Sequence, residues 1–306
     1  MFENRYYSFS SFLKKKFGGS VYKISIDAGF TCPNRDGSKG FGGCYFCNNS
    51  SFSGSRTRES VKEQIRLGKE RLKSRKPKGF IAYFQSFTNT YANVSVLKKL
   101  YCEALEEKDI LGISIGTRAD CLPEDVLDLL SEISKKTMLW IELGLESIYD
   151  TTLKRINRGH TYEEFKNGYY KLRERVRDCY VCFHVIFGLP GENKEMMINT
   201  VKEINRLKPD AIKFHQLEIV KNTQFEKEYY EGKIEIMIFQ DYLGILGEAL
   251  KILSPAIIIQ RLYNTTNPGY IVAPKENLNK KQMLDIFLKE KNIIQGSDYN
   301  EEVYKV

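Results

Sequence analysis

Six short runs of β-branched and aromatic residues recur along the chain, at 21–27, 80–85, 112–117, 139–145, 180–187 and 211–217, each followed by a longer amphipathic stretch. From the second run onward they begin about 27 to 41 residues apart. That is the repeat of a strand and its returning helix, so the pattern predicts a parallel α/β sheet over a sandwich. Six units predict a partial, TIM-like (β/α)6 barrel over residues 1–222. The first interval is longer, about 59 residues, because a segment at 30–50 is inserted after the first strand. This places the insert at the C-terminal end of a strand, where barrels keep their chemistry. Beyond residue 222 the rhythm changes: a helical region at 225–253 and a helix-like stretch at 280–291 predict a C-terminal α/β extension, 223–306, packed on the barrel.

Central parallel strands normally read apolar on both faces. Several here break that rule on one face: Tyr83 with Gln85, Ser114 with Arg118 beyond it, Glu142 with Gly144 and Glu146, Cys182 with His184, and Lys213 with His215. Their alternate neighbours, such as Phe84, Ile115, Ile141, Phe183 and Phe214, are apolar. The apolar set is expected to meet the helices and the polar set to point into the lumen. Unpaired, each buried polar group would cost about 1–3 kcal/mol. Either a ligand fills the lumen or these side chains pair with one another in a structural network.

A hydrophobic content of 42% is ample for a large core, and no apolar run approaches the roughly 20 residues that span a bilayer. The N-terminal segment carries Glu3 and has no apolar run before its lysines, unlike a secretory signal. A cytoplasmic protein with no membrane association is expected. The net charge of +8 is modest, but between Arg56 and Lys78 ten basic residues face three acidic ones. Helical spacing at 57–76 gathers Val61, Ile65, Gly68 and Leu72 on one stripe. One position on, about 100° round the helix, it gathers Lys62, Arg66, Lys69 and Lys73, with Arg58 and Lys76 extending the ridge. Such a ridge suits phosphates; a solvated face partly paired with glutamates fits the same spacing.

Seven cysteines is an odd number, and three of them, Cys32, Cys44 and Cys47, fall within sixteen residues, which points to metal ligation in a reducing compartment. The intervening glycines, Asn34 and Asp36 permit the turns that wrap thiolates round one centre. Structural zinc sites close with four ligands and electron-transfer clusters usually take four cysteines. Three thiolates leave one iron of a cluster open. A zinc site completed by a histidine, in a nucleic-acid-binding protein without catalysis, is the competing account. Cys179 and Cys182, with Cys102 and Cys121, are numerous enough for a second cluster. Three positions apart on one strand, however, Cys179 and Cys182 face opposite sides, so packing cysteines are expected.

The segments KISIDAGFTCPNRDG (23–37), GCYFC (43–47), YFQSFTNTY (83–91), GTRAD (116–120), ELGLES (142–147), NRGHT (157–161), HVIFGLPGE (184–192) and IQRL (259–262) run through nearly the whole chain. In these it resembles the radical S-adenosylmethionine (SAM) superfamily and, more closely, the YtqA/YhcC-like family related to the Elp3-like radical enzymes. Eleven residues between the first two cysteines, in place of the superfamily's common three, are typical of that smaller family. The resemblance implies a 4Fe-4S cluster on Cys32, Cys44 and Cys47, SAM on the open iron, and an electron donor such as flavodoxin or ferredoxin. It places Phe46 against the adenine and sets Gln85, Ser86, Thr88 and Asn89 where the superfamily's Gly-Gly-Glu element meets the methionyl amine. Glu146 and Ser147 become ribose contacts, Ile186 and Gly188 approach the adenine, and His160 is a further cofactor contact. Arg118, Glu142, His184, Lys213 and His215 are the candidate catalytic residues; for the two histidines a structural hydrogen-bonding role is equally open. These relatives look like modifiers of tRNA. The implied reaction converts 5-carboxymethylaminomethyluridine, or its 2-thio form, at the wobble position to 5-aminomethyluridine, with Arg118 or Lys213 beside the carboxylate. A small metabolite as substrate would keep the same chemistry.

Overall fold

A computed structural model of the chain describes residues 6–51, 59–264 and 266–275. The first elements are β1 (Tyr7–Ser8), α1 (Phe9–Phe17), β2 (Val21–Ile26), α2 (Val61–Leu72), β3 (Gly79–Phe84), α3 (Val94–Leu105) and β4 (Ile110–Thr117). Then follow α4 (Glu124–Ser134), β5 (Met138–Glu146), α5 (Asp150–Arg155), α6 (Tyr162–Arg175), β6 (Cys179–Phe187), α7 (Lys194–Leu207) and β7 (Ala211–Gln216). The last are β8 (Ile219–Val220), α8 (Gln224–Tyr230), α9 (Phe239–Ile252), β9 (Ile258–Arg261) and β10 (Ile271–Ala273). Local sequence starts several helices: the Ser60 hydroxyl accepts from the Glu63 backbone N–H ahead of α2, and Thr161 with Glu164 forms a capping box ahead of α6.

The six strands expected from the pattern are β2 to β7, and they lie side by side in chain order, all parallel. Two short strands extend the sheet to eight. β9 pairs with β7, and β1 pairs with β9 at the outer edge. The expected helical region at 225–253 is two helices, α8 and α9, parted near Gly232, which takes a positive φ of 69°. The helix-like stretch at 280–291 and Arg58 lie outside the described residues.

The sheet is curled. Lys23 on β2 donates to Gln260 on β9 at 2.8 Å although five strands stand between them in the sheet order. The outer face carries the helices: Val61, Ile65 and Leu72 of α2 are buried in the same core as Ile24, Phe84 and Ile115. The inner face has two storeys. At the N-terminal ends of the strands Ile81, Trp140, Cys182, Ala211 and Ile258 form an apolar floor. Helix α1 plugs it, with Phe9 and Phe12 meeting Trp140 edge-on at 5.2 and 5.7 Å between ring centroids and Tyr180 stacked on Trp140 at 4.7 Å. One period further along, Tyr83, Glu142, His184, Lys213 and Gln260 make the polar storey. No helix among the described residues is long and apolar enough to cross a membrane.

Gly68 shows how tightly α2 sits on β2, because an added Cβ would fall well inside van der Waals contact of Ile24 Cγ2. Alanine gains about 1 kcal/mol of helix propensity over glycine, whereas overpacking a rigid core costs about 1–3 kcal/mol. Gly68→Ala is therefore expected to destabilise the protein by about 1–2 kcal/mol in urea denaturation, against the sign that propensity alone gives.

Candidate functional site

The three clustered cysteines all line one cavity at the C-terminal mouth of the barrel, and none is in a disulfide. Their loop is wound by its own backbone: the Arg35 N–H donates to Cys32 O at 2.8 Å, Gly43 N–H to Asn34 O at 2.7 Å and Cys47 N–H to Cys44 O at 2.9 Å. It is clamped to the segment after α5. Buried Asn34 donates to Asn157 O, Asn157 Nδ2 returns a bond to Gly43 O at 2.8 Å, and Tyr45 N–H reaches Ile156 O at 3.0 Å. Arg158 ties this clamp to the barrel, donating to Gly144 O at 2.6 Å and standing 3.6 Å from Glu146 Oε1. Gly144 makes the crossing possible, since a Cβ there would collide with both Arg158 and Glu146. Next to it the strand register shifts and Glu146 adopts φ of 60°, a left-handed conformation that is strained for a side chain with a Cβ.

Polar hydrogens converge on the sulfurs. Arg158 Nη1 and Asn34 Nδ2 lie 3.6 and 3.8 Å from Cys44 Sγ, and Asn49 Nδ2 lies 3.7 Å from Cys47 Sγ. Donors of this kind stabilise the negative charge of metal-bound thiolates. Burial, with Cys44 alongside, pushes the Cys47 thiol up to about 11, and a bound metal would favour its thiolate. Among the described residues no three His, Cys, Asp or Glu side chains stand close enough to hold a single metal ion. Cys32, Cys44 and Cys47 line this cavity and no fourth cysteine among the described residues does, a donor set that fits a cubane cluster with one iron left open.

Below the loop the polar storey is organised by Glu142, which is wholly buried. Its Oε1 accepts from Lys23 and from Ser114 Oγ at 2.8 Å; its Oε2 accepts from Lys213 and from Tyr83 OH at 2.7 Å and lies 2.9 Å from His184 Nε2. Although burial opposes its charge, Lys213, Lys23 and His184 hold Glu142 well below the usual carboxylate range. Burial lowers Lys213 to about 7, Glu142 opposing that fall, and lowers His184 to about 4, so the imidazole is neutral. His215 is likewise held well below its ordinary value by burial and Arg261. The lower lumen residues thus pair with one another, as one account of the pattern required, while those nearer the mouth face open space.

Of the expected catalytic residues, Arg118, Glu142, His184 and His215 reach the cavity wall, and Lys213 lies just beneath it on Glu142. Arg118 differs from expectation in one respect. Its guanidinium grips Asp120 through two bonds of 2.9 Å and donates to Arg158 O at 2.7 Å, so no fork is left for a substrate carboxylate. Phe46, Gln85, Thr88, Glu146 and Ile186 line the cavity. The other expected cofactor contacts sit apart from it. Asn89 is buried behind the wall, donating to Gly116 O at 2.8 Å, and Ser86 is buried beside it. The Ser147 hydroxyl donates to Glu192, His160 turns Nδ1 to Thr161 O at 3.1 Å, and Gly188 borders a second cavity between α7 and α9.

The cationic ridge is largely compensated. Lys62 meets Glu106 at 3.3 Å, Arg66 meets Glu63 at 2.6 Å, Lys69 meets Glu107 at 3.4 Å and Lys73 meets Glu70 at 3.6 Å. Helix α2 also runs away from the mouth. Gln64 near its start bonds to Asp27 beyond the end of β2, whereas Arg75 past its end lies over Tyr22 near the start of that strand. Among the described residues of the ridge, Lys62 lies at the end nearer the C-terminal end of β2. Lys76 follows α2 in a left-handed conformation, φ 47°.

Sequence reasoning passed over Lys23, Arg158 and Arg261 as site residues. Lys23 carried a usable signal, since it alternates with Ser25 on β2 between apolar Tyr22, Ile24 and Ile26.

Comparison with known proteins follows the same lines. A family model described as the radical SAM superfamily matches residues 32–204, and one described as the radical SAM C-terminal domain matches 209–290. The uncharacterized protein YtqA of Bacillus subtilis is 39% identical over 293 residues, covering 94% of this chain and 90% of that protein. A tRNA uridine(34) acetyltransferase of Methanocaldococcus jannaschii is 24% identical over 179 residues, 57% of this chain and 32% of that one. Among solved structures, the Elp3 of Methanocaldococcus infernus superposes with a TM-score of 0.69 at 17% identity, over 89% of this chain and 63% of that one.

Two outcomes are expected. Glu142→Gln leaves two buried lysines without their shared anion and is expected to cost about 3–5 kcal/mol near pH 7, as for breaking a buried pair. Because the folded-state pKa is depressed, this contribution is fully present above the ordinary carboxylate pKa and is lost as pH falls through the lower folded value. The stability gap between variant and parent, followed by urea titration, is thus expected to persist from pH 8 to pH 5, widening below about pH 7 where Lys213 gains its proton beside Glu142 in the parent, and to close only in stronger acid. Gly144→Ala, by displacing Arg158 from Cys44, is expected to lower iron retained per chain after reconstitution while leaving the circular dichroism spectrum unchanged.

Proposed function

Because the chain belongs to the radical SAM superfamily, and within it to the YtqA/YhcC-like family, we propose that this radical SAM enzyme acts on the wobble uridine of tRNA, removing the carboxymethyl group of 5-carboxymethylaminomethyluridine or its 2-thio form to leave 5-aminomethyluridine. Its cofactors are a 4Fe-4S cluster and SAM, which when bound supply a 5′-deoxyadenosyl radical able to take hydrogen from an unactivated carbon. An electron donor such as flavodoxin or ferredoxin belongs to this reading.

Cys32, Cys44 and Cys47 hold the cluster, with Arg158, Asn34 and Asn49 donating to two of the sulfurs. Phe46 and Ile186 offer apolar surface on the cavity wall for the adenine, and Gln85 and Thr88 offer polar groups for the methionyl end. The closed floor keeps bulk water from reaching the lumen from below. A base enters such a lumen only when flipped out or already unpaired. The observation that carries the reading is the pairing in the lumen: Lys23 and Lys213 converge on the single carboxylate Glu142, two amines beneath the cysteine loop that suit an anionic substituent, whose arrival favours the charged form of Lys213. The similarity to a tRNA uridine(34) acetyltransferase supports the choice of base. The ridge of Arg58, Lys62, Arg66, Lys69, Lys73 and Lys76 supplies phosphate contacts. The ion pairs along that ridge favour a second reading, in which the same chemistry acts on a small anionic metabolite.

Reconstituted enzyme, given SAM, a reductant and tRNA bearing 5-carboxymethylaminomethyluridine, is expected to yield 5-aminomethyluridine on mass spectrometry of the digested nucleosides. An unchanged nucleoside refutes the assignment. Neutralising Lys62, Arg66, Lys69 and Lys73 together is expected to weaken tRNA binding and flatten its dependence on salt. Binding that keeps its full salt slope favours the metabolite.

A further inference from the structure

Nearly every buried charge round the lumen has a visible partner: Lys23 and Lys213 have Glu142, Arg118 has Asp120, and Arg158 has Gly144 O and Glu146. The wall formed by β7, the turn after it and β9 is different. Arg261, the last residue of β9, lines the cavity and has no carboxylate within ion-pair distance among the described residues. Glu218, two residues past β7, lines the same cavity; its carboxyl takes side-chain hydrogen bonds from Thr266 and Asn264, yet its Oε2 is buried without a hydrogen-bond partner. Opposite in sign and close enough to influence one another, the two groups form no ion pair. His215 stands in the same wall with its Nε2 also buried and unpartnered. The wall is fixed by Asn264, whose amide exchanges bonds of 3.1 and 2.8 Å with the backbone N–H and O of Gln216.

A cation and an acid held apart on one wall complement neither a plain anion nor a plain amine. A lone carboxylate would leave the Glu218 oxygen unmatched and would be repelled by it; a lone ammonium would meet Arg261. A ligand bearing both charges a short distance apart satisfies both groups. Burial raises the Glu218 carboxyl above its ordinary range, Thr266, Asn264 and Arg261 opposing the rise, and a cationic partner favours its charged form.

We propose that Arg261 and Glu218 form a zwitterion subsite that binds the N-alkylglycine end of the substrate, Arg261 taking the carboxylate and Glu218 the secondary ammonium. This rests on the function proposed above and deepens it by naming the chemical class the lumen selects. The carboxylate role that sequence reasoning gave to Arg118 or Lys213 passes to a residue of β9. The methylene between the two charged groups is thereby held at the cavity wall, with its hydrogens free to face the open space.

The test is equilibrium binding, by calorimetry, to the cluster-loaded enzyme with SAM and without reductant, so that nothing turns over. The probes are the nucleoside 5-carboxymethylaminomethyluridine, its methyl ester, 5-carboxymethyluridine and N-benzylglycine. Arg261→Met is expected to weaken the full nucleoside about tenfold or more, the worth of one charged hydrogen-bonded contact, and to abolish the preference over the methyl ester. Glu218→Gln is expected to abolish the preference over 5-carboxymethyluridine, and Arg261→Lys to fall between Arg261→Met and the parent. Unchanged melting transitions and iron content show that the variants fold. Variants that bind the nucleoside as tightly as the parent overturn the subsite, as does a parent that binds neither glycine compound. If N-benzylglycine binds with this dependence and the nucleoside does not, the subsite stands and the wobble-uridine function falls. If Arg261→Met modifies tRNA and binds the nucleoside as the parent does, the function stands and the subsite falls.

Discussion

One buried carboxylate organises this molecule. Glu142 gathers side chains from β2, β3, β4, β6 and β7 onto the middle strand of the curl, and it does so where water cannot compete. Removing such a group from water is costly and is offset only when every lone pair finds a donor. Glu142 meets that condition, which makes the geometry exacting: the strands must stand at the distances and tilts that let two lysines, a tyrosine, a serine and an imidazole converge. Because Lys23 also reaches Gln260 on β9, the same knot sets how far the sheet closes. A flatter sheet would break these bonds together.

The mouth depends on a different economy of space. The cysteine loop is irregular backbone, and its shape is transmitted through Asn34, Asn157 and Arg158 to the end of β5. The glycine at 144 is what lets the guanidinium of Arg158 lie across the strand and still reach Cys44. Strain at Glu146 accompanies this arrangement, as is common where a strand end is bent to serve a site. The cluster environment is thus set by a segment more than a hundred residues downstream of its ligands.

The six central strands were legible because each is six to nine residues long and alternates cleanly enough for period two to register. β9 and β1, at four and two residues, are too short for that; tertiary pairing with β7 and with one another makes them strands. The polar lumen face was legible for the same reason as the strands, and so was the gathering of Cys32, Cys44 and Cys47, whose spacing is local, on one cavity. Arg118 shows where such reasoning ends. Its position on the pattern was right, but the carboxylate that occupies it, Asp120, lies two residues away in a turn whose direction no periodicity encodes. Arg158 and Arg261 were hidden because the importance of each comes from empty space beside it. For one that space is a missing Cβ, and for the other it is a missing counter-ion among the described residues.

Helix α1 seals the base of the barrel with Phe9, Phe12 and Leu13. With that floor plugged, the described residues offer no way in from below. A ligand seated on the polar storey around Glu142 lies deeper than anything held at the cysteine loop, an order of depth that favours loading the deeper one first.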